Sequence, residues 1–144
     1  MKITKKGSAE WSGGIKDGKG LVSTESGSLK NQPYGFNTRF EGKPGTNPEE
    51  LLGAAHAGCF TMALSKILGE NNLTADKLET TAQVTLEKVG EGFEINAIHL
   101  SLKGRVPNTT QEKFQELANM AKVGCPVSKL FKGAKISMEA MLDQ

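Results

Sequence analysis

The sequence predicts an α+β fold in which antiparallel sheets pack on a long central helix, with a second helix beside it. Three observations carry this. Runs 80–88 and 93–102 alternate in polarity on either side of a Gly90-Glu91-Gly92 turn, as an antiparallel hairpin does. Residues 48–70 are small and apolar and open on helix-start signals. Phe114, Leu117, Ala118 and Ala121 recur at helical spacing in a second such stretch. At 144 residues the chain suits one domain, 1–144, able to bury a core without metals or several disulfides.

The elements follow in order. Residues 1–41 read as strands. Gly13-Gly14 marks a turn, Gly20 to Glu25 leans to β structure, and 26–33 reads as a loop. Tyr34, Phe36, Thr38 and Phe40 alternate with Asn37, Arg39 and Glu41, which predicts a strand carrying Arg39. After a turn at 42–47, Asn47 suits an N-cap, Pro48 the first helical position and Glu50 the third. This helix should run to about Glu70, where Asn71-Asn72 ends it. The hairpin follows. The second helix starts at Asn108 or Thr109 and stops at Gly124. A short third helix spans 125–131 with Pro126 at its first position, and 135–141 forms a last strand.

Composition excludes several functions. The chain has 18 basic and 16 acidic residues, net +2, with the basic residues dispersed and only one Trp and one Tyr. A nucleic-acid surface needs clustered cations and stacking rings, and neither is present. No apolar run approaches the roughly 20 residues that span a bilayer, and no apolar segment follows the basic N-terminus to make a signal peptide. The expectation is a cytoplasmic protein that does not engage membranes. Stable disulfides are rare there, so a bridge between the two cysteines would be transient and catalytic rather than structural. Two Cys and two His without CxxC or HxxxH spacing give no metal site, and no cofactor is implied. Hydrophobic residues make up 37%, slightly few for a complete core, which hints at dimerisation.

The central helix carries Cys59. Leu52, Ala55, His56, Cys59, Phe60, Ala63 and Ile67 share one broad face. The opposite side, Ala54, Ala57, Gly58, Thr61 and Ser65, is nearly free of charge. A helix that is apolar or small all round belongs inside a protein, so Cys59 should be well packed. Two readings stay open. Cys59 is a small core residue, or it is a reactive thiol. Burial alone raises a thiol pKa, so reactivity requires a positive partner. Arg39 is the best candidate, because a guanidinium can stabilise a thiolate and hold the polar end of a peroxide; the alternative is a solvated strand residue. Glu50 is explained by capping and Glu49 by the helix dipole. Glu49 stands roughly 15 Å up the axis from Cys59 at 1.5 Å per residue. If Arg39 pairs with Glu49 and also serves a cysteine, that cysteine would belong to another chain. His56, one turn before Cys59, reads as a hydrogen-bonded core histidine or as a base.

Cys125 falls at the start of the short third helix, where unpaired amides stabilise a thiolate; the alternative is a small residue before proline. Together the two thiols suit a cycle. Cys59 attacks a peroxide oxygen and becomes a sulfenic acid, Cys125 condenses with it to a disulfide, and an external dithiol reduces the bridge.

Four segments bear a resemblance: Gly18 to Ser26, Pro33 to Glu41, Asn47 to Leu51 with Ala54 to Phe60, and Gly124-Cys-Pro-Val-Ser128. Together they resemble the OsmC/Ohr family, nearest to its osmotically inducible OsmC branch, over essentially the whole chain. The resemblance implies an intertwined α+β homodimer with sites at the subunit interface. It implies a peroxidase for organic hydroperoxides and, less well, hydrogen peroxide. Cys59 matches the peroxidatic cysteine, Cys125 the resolving one, and Arg39 and Glu49 the charged pair. The electrons would come from lipoylated protein or small dithiols. Leu52, Phe36, Phe40, Phe60 and Met62 are the long apolar residues available for the peroxide's tail. The rival functions are a dimeric binding module for an apolar ligand, with idle thiols, and a plain structural stress protein.

Overall fold

The structure, a computed structural model, describes residues 1–143. The chain forms two compact units, residues 1–51 and 52–144.

The first unit is a small antiparallel sheet with a helical turn. Strands β1 (Gly7–Ser12), β2 (Lys19–Thr24) and β3 (Gln32–Tyr34) lie in that order. Trp11 and Tyr34 meet across it with ring centroids 5.7 Å apart. Gly20 sits beneath both rings, where a Cβ would collide with Tyr34 and come within 2.7 Å of Trp11.

Arg39 is not on a strand. Residues Phe36–Phe40 form a short helix, α1, so the alternation at 34–41 misleads. The Gly35 N–H donates to Thr38 Oγ1 at 2.8 Å, and the Thr38 hydroxyl donates to the Gly35 carbonyl at 3.0 Å. Phe36 and Phe40 then fall one turn apart and pack at 4.9 Å, a contact an extended chain could not make.

Helix α2, Pro48–Glu70, begins at the end of the first unit and continues into the second. Its entry is as the sequence indicates: Asn47 Oδ1 accepts from the Glu50 N–H at 2.9 Å. At 23 residues α2 is long and apolar enough, by length and composition, to cross a bilayer, which corrects the expectation that no run approaches that size. Its apolar character has a use within the fold, because Gly53, His56, Phe60, Leu64 and Leu68 form a buried row. The helix is not enclosed all round, however. Ala54, Gly58, Met62 and Ser65 line up on an exposed face, with Met62 76% exposed.

The second unit holds the core. Strands β4 (Lys77–Val89) and β5 (Gly92–Arg105) form the expected hairpin, with Gly90 at φ 64° in the turn and an irregularity at Thr85/Leu86. Strand β6 (Lys135–Leu142) joins β5 in parallel, so this sheet is mixed rather than purely antiparallel. The crossover runs through α3 (Gln111–Gly124) and α4 (Pro126–Leu130). Ile98, Leu100 and Leu102 of β5 face Phe60, Leu64 and Leu68 of α2 and Phe114, Leu117, Ala118 and Ala121 of α3 in one cluster, which also contains Cys125. Gly53 lets α2 approach β4: a Cβ there would lie 3.1 Å from the Ala82 carbonyl oxygen.

Candidate active site

Cys59 and Cys125 fall in one packed cluster, close enough for each thiol to act on the other. Cys125 serves two helices, closing α3 and opening α4, and is fully buried. Its N–H donates to the Ala121 carbonyl at 2.9 Å, and its own carbonyl accepts from the Lys129 N–H at 3.1 Å. This double cap fixes the residue's backbone, and Cys59 packs against the buried cluster to which Cys125 belongs. Cys59 is half-buried on α2, and both cysteines are free thiols.

Burial pushes the Cys59 thiol above its ordinary range, and the hydrogen bond and charge interaction with Cys125 push the same way. A backbone hydrogen bond from Val127 opposes them. The donor is the N–H, the one hydrogen a backbone offers, and it comes from the first turn of α4. The sequence suggests that the helix start would serve Cys125; the amide contact goes to Cys59.

One turn back on α2, His56 is fully buried, its Nε2 2.7 Å from Ser128 Oγ. Its Nδ1 has no hydrogen-bond partner. Burial holds the imidazole pKa below 6.5, so the ring is neutral near pH 7. Phe131 meets it edge-on at 5.5 Å between centroids. His56 is the hydrogen-bonded core histidine of the two sequence readings. Ser128 and the Val127 amide are missed by sequence reasoning; 72 positions separate His56 from Ser128, and no local pattern links them. His99 lies on β5, with its Nδ1 2.7 Å from Ser137 Oγ of β6.

Arg39 and Glu49 form the charged element of the first unit. The guanidinium Nε donates to Glu49 Oε1 at 2.7 Å and the second nitrogen, Nη2, to Oε2 at 2.9 Å. The Arg39 guanidinium also lies 5.6 Å from the Phe40 ring centre, so one face of its plane is covered. Arg39 borders a cavity of about 250 Å³ walled by Trp11, Tyr34, Phe36 and Phe40. Of the residues named for a substrate tail, Phe36 and Phe40 line this cavity, whereas Phe60 is fully enclosed in the core and unavailable. Leu52 borders a separate hollow of about 530 Å³ in the second unit with Ile98, Leu130 and Phe131. Among the described residues no three His, Cys, Asp or Glu side chains gather as a metal-binding group.

A thiol pair on a helix-bearing α+β scaffold is the arrangement of a redox-active cysteine protein, and comparison with known proteins gives the family. The model for OsmC-like proteins matches residues 40–139, and the chain belongs to the OsmC family. It is 56% identical over 142 residues to the peroxiredoxin OsmC of Escherichia coli K12, covering 99% of each chain. The organic hydroperoxide resistance protein OhrB of Bacillus subtilis is 36% identical over 79% of this chain and 82% of its own. Its crystal structure superposes with a TM-score of 0.71 over 98% of both chains. An OsmC-like protein from Mycoplasma pneumoniae, 15% identical, shares the fold at a TM-score of 0.78 over the full length of both chains.

Proposed function

We propose that this protein is a thiol-dependent peroxidase that reduces organic hydroperoxides and, less well, hydrogen peroxide. The packing of Cys59 against the buried cluster that contains Cys125 carries the proposal. The 56% identity to a peroxiredoxin and the likeness to a hydroperoxide resistance protein support it. The Cys59 thiolate attacks the terminal peroxide oxygen, the O–O bond breaks, and the substrate leaves as its alcohol once protonated. Cys59, oxidised to a sulfenic acid, is then attacked by the Cys125 sulfur. The S–O bond breaks, an S–S bond forms, and hydroxide leaves with the thiol proton as water. A dithiol, such as a lipoylated protein, reduces the bridge by exchange.

Cys59 alone favours its protonated form. The reaction therefore needs a cation, and Arg39, held in plane by Glu49, is assigned that role. The aromatic cavity beside Arg39 suits an apolar substituent on the peroxide. The functional unit is 1–144 as one OsmC-like module, because the family match crosses from the first unit into the second. It acts in the cytoplasm as an intertwined homodimer; the dimer is favoured by the exposed face of α2, where small Ala54, Gly58 and Ser65 flank the apolar, 76% exposed Met62 and offer a surface for a second copy.

The deciding experiment treats the reduced protein with one equivalent of cumene hydroperoxide, follows thiol loss by stopped flow, and maps the product by mass spectrometry. A 59–125 linkage is the expected product. Thiols that remain unreacted would refute the peroxidase and leave a binding module for an apolar ligand.

A further inference from the structure

Helix α2 and the α3–α4 junction are tied at three points. Cys59 and Val127 both pack against the buried cluster that contains Cys125, and Cys59 interacts with the Cys125 side chain and the Val127 backbone. One turn back along α2, His56 Nε2 meets Ser128 Oγ at 2.7 Å, one turn forward along α4. The side-chain ties run antiparallel: His56 precedes Cys59 by three positions, and Ser128 follows Cys125 by three.

The His56–Ser128 tie is polar where packing alone would favour an apolar pair. The two residues are 0% and 5% exposed, and His56 Nδ1 is left unpaired. Leaving a buried polar atom unmet is unfavourable, and apolar residues of the same shape at both positions would avoid it. What an apolar pair would lack is direction, because dispersion contacts tolerate sliding whereas a short hydrogen bond fixes which turn of α4 sits on which turn of α2.

We propose that the His56–Ser128 hydrogen bond is the positioning contact for disulfide closure, holding the first turn of α4 on α2 so that Cys125 and the Val127 N–H stay on Cys59. The inference rests on the peroxidase reading for its biological meaning. His56 and Ser128 are positioning residues in it; neither exchanges a proton with substrate. Timing makes the contact matter. A sulfenic acid that waits for Cys125 can meet a second peroxide and pass to the sulfinic acid, whereas a thiol already in place closes the bridge first.

The test uses the full chain with Ser128→Ala, His56→Leu and His56→Gln. Glutamine keeps a polar atom near the Nε2 position and serves as the conservative rescue. Disulfide closure is followed in two ways: after one equivalent of cumene hydroperoxide, and with diamide, which oxidises thiol pairs without peroxide chemistry. Ser128→Ala and His56→Leu should each slow closure by about tenfold, in line with the loss of one buried hydrogen bond. Both should raise the fraction of Cys59 recovered as sulfinic acid, and His56→Gln should recover most of the parental rate. Ser128→Ala removes one oxygen and decides the matter if His56→Leu fails to fold. A Ser128→Ala protein with parental circular dichroism that closes its disulfide at the parental rate would overturn the proposal, as would one that only melts earlier. Failure of the parent to react with peroxide while diamide still separates the variants would sink the peroxidase reading and spare the positioning role.

Discussion

Arg39 and Glu49 meet side-on, two parallel N–H···O bonds of 2.7 and 2.9 Å joining guanidinium to carboxylate. The Glu49 side chain is only 12% exposed, so its charge is largely committed to this partner. The fork sets the plane of the guanidinium and leaves its far edge for another acceptor.

Replacing Arg39 should therefore affect the first oxidation step. Lysine keeps the charge but cannot reproduce the fork. Hydrogen bonds to charged groups contribute roughly 1.5–3 kcal/mol, so Arg39→Lys should slow Cys59 oxidation by cumene hydroperoxide by about ten- to a hundredfold, and Arg39→Ala by more. Stopped-flow rates decide it; an unchanged rate in Arg39→Ala would remove this residue from the mechanism.

The two thiols should fail differently. Cys59→Ser is expected to abolish turnover. Cys125→Ser should still consume one peroxide per chain, then stop at a sulfenic acid that over-oxidises. Mass spectrometry after increasing peroxide doses separates the outcomes. Full peroxidase activity in Cys59→Ser would show that the wrong thiol has been assigned.

The pH response of Cys59 has a definite sign. Its folded pKa is raised above 9.0, with burial the largest cause and Cys125 supplying two further ones. In Arg39→Ala, alkylation by iodoacetamide should climb steadily as pH rises from neutrality into the alkaline range. Adding Cys125→Ala removes both Cys125 contributions and should move that curve to lower pH. A shift to higher pH would contradict the described contact.

His56 predicts an acid-side weakness. Its folded pKa is depressed by burial, whereas the unfolded chain protonates near 6.5. The unfolded state then holds the extra proton, so stability is full above about pH 6.5 and falls below it. Urea unfolding at stepped pH should show this decline, and His56→Leu should flatten it.

Gly104 is a packing prediction. A Cβ there would stand 2.5 Å from Phe114 Cζ, inside the fully buried part of the core. Gly104→Ala should destabilise the protein by about 1–3 kcal/mol, read as a lowered Tm. A neutral effect would mean that the Phe114 ring moves aside freely.

Much of the fold was legible because its signals are local. The α2 entry is written in Asn47, Pro48 and Glu50, and the hairpin in two alternating runs. The strand expected at 34–41 failed because alternating aromatics also satisfy spacings of four. Phe36 and Phe40 make the helical contact, and Thr38 bonding back to Gly35 decides between the two. The parallel pairing of β6 could not be read, since residue pattern does not record strand direction. Nor could the exposed face of α2: small residues suit burial against this chain or against another. At the site, the thiols stood out by their unlike settings, whereas His56–Ser128 and the Val127 amide arise only when distant segments fold together.

Cys125 closes one helix and opens the next, and it shares a packed cluster with a third. A bond from there to Cys59 would fasten a long covalent ring, 66 positions from 59 to 125. Chain-entropy reasoning assigns such a ring about 4 kcal/mol of stabilisation. Oxidation would thus leave the molecule sturdier than reduction does, and the reductant would have to work against that gain at every turnover. Heat resistance would then report how far the pool of this protein has been spent on peroxide.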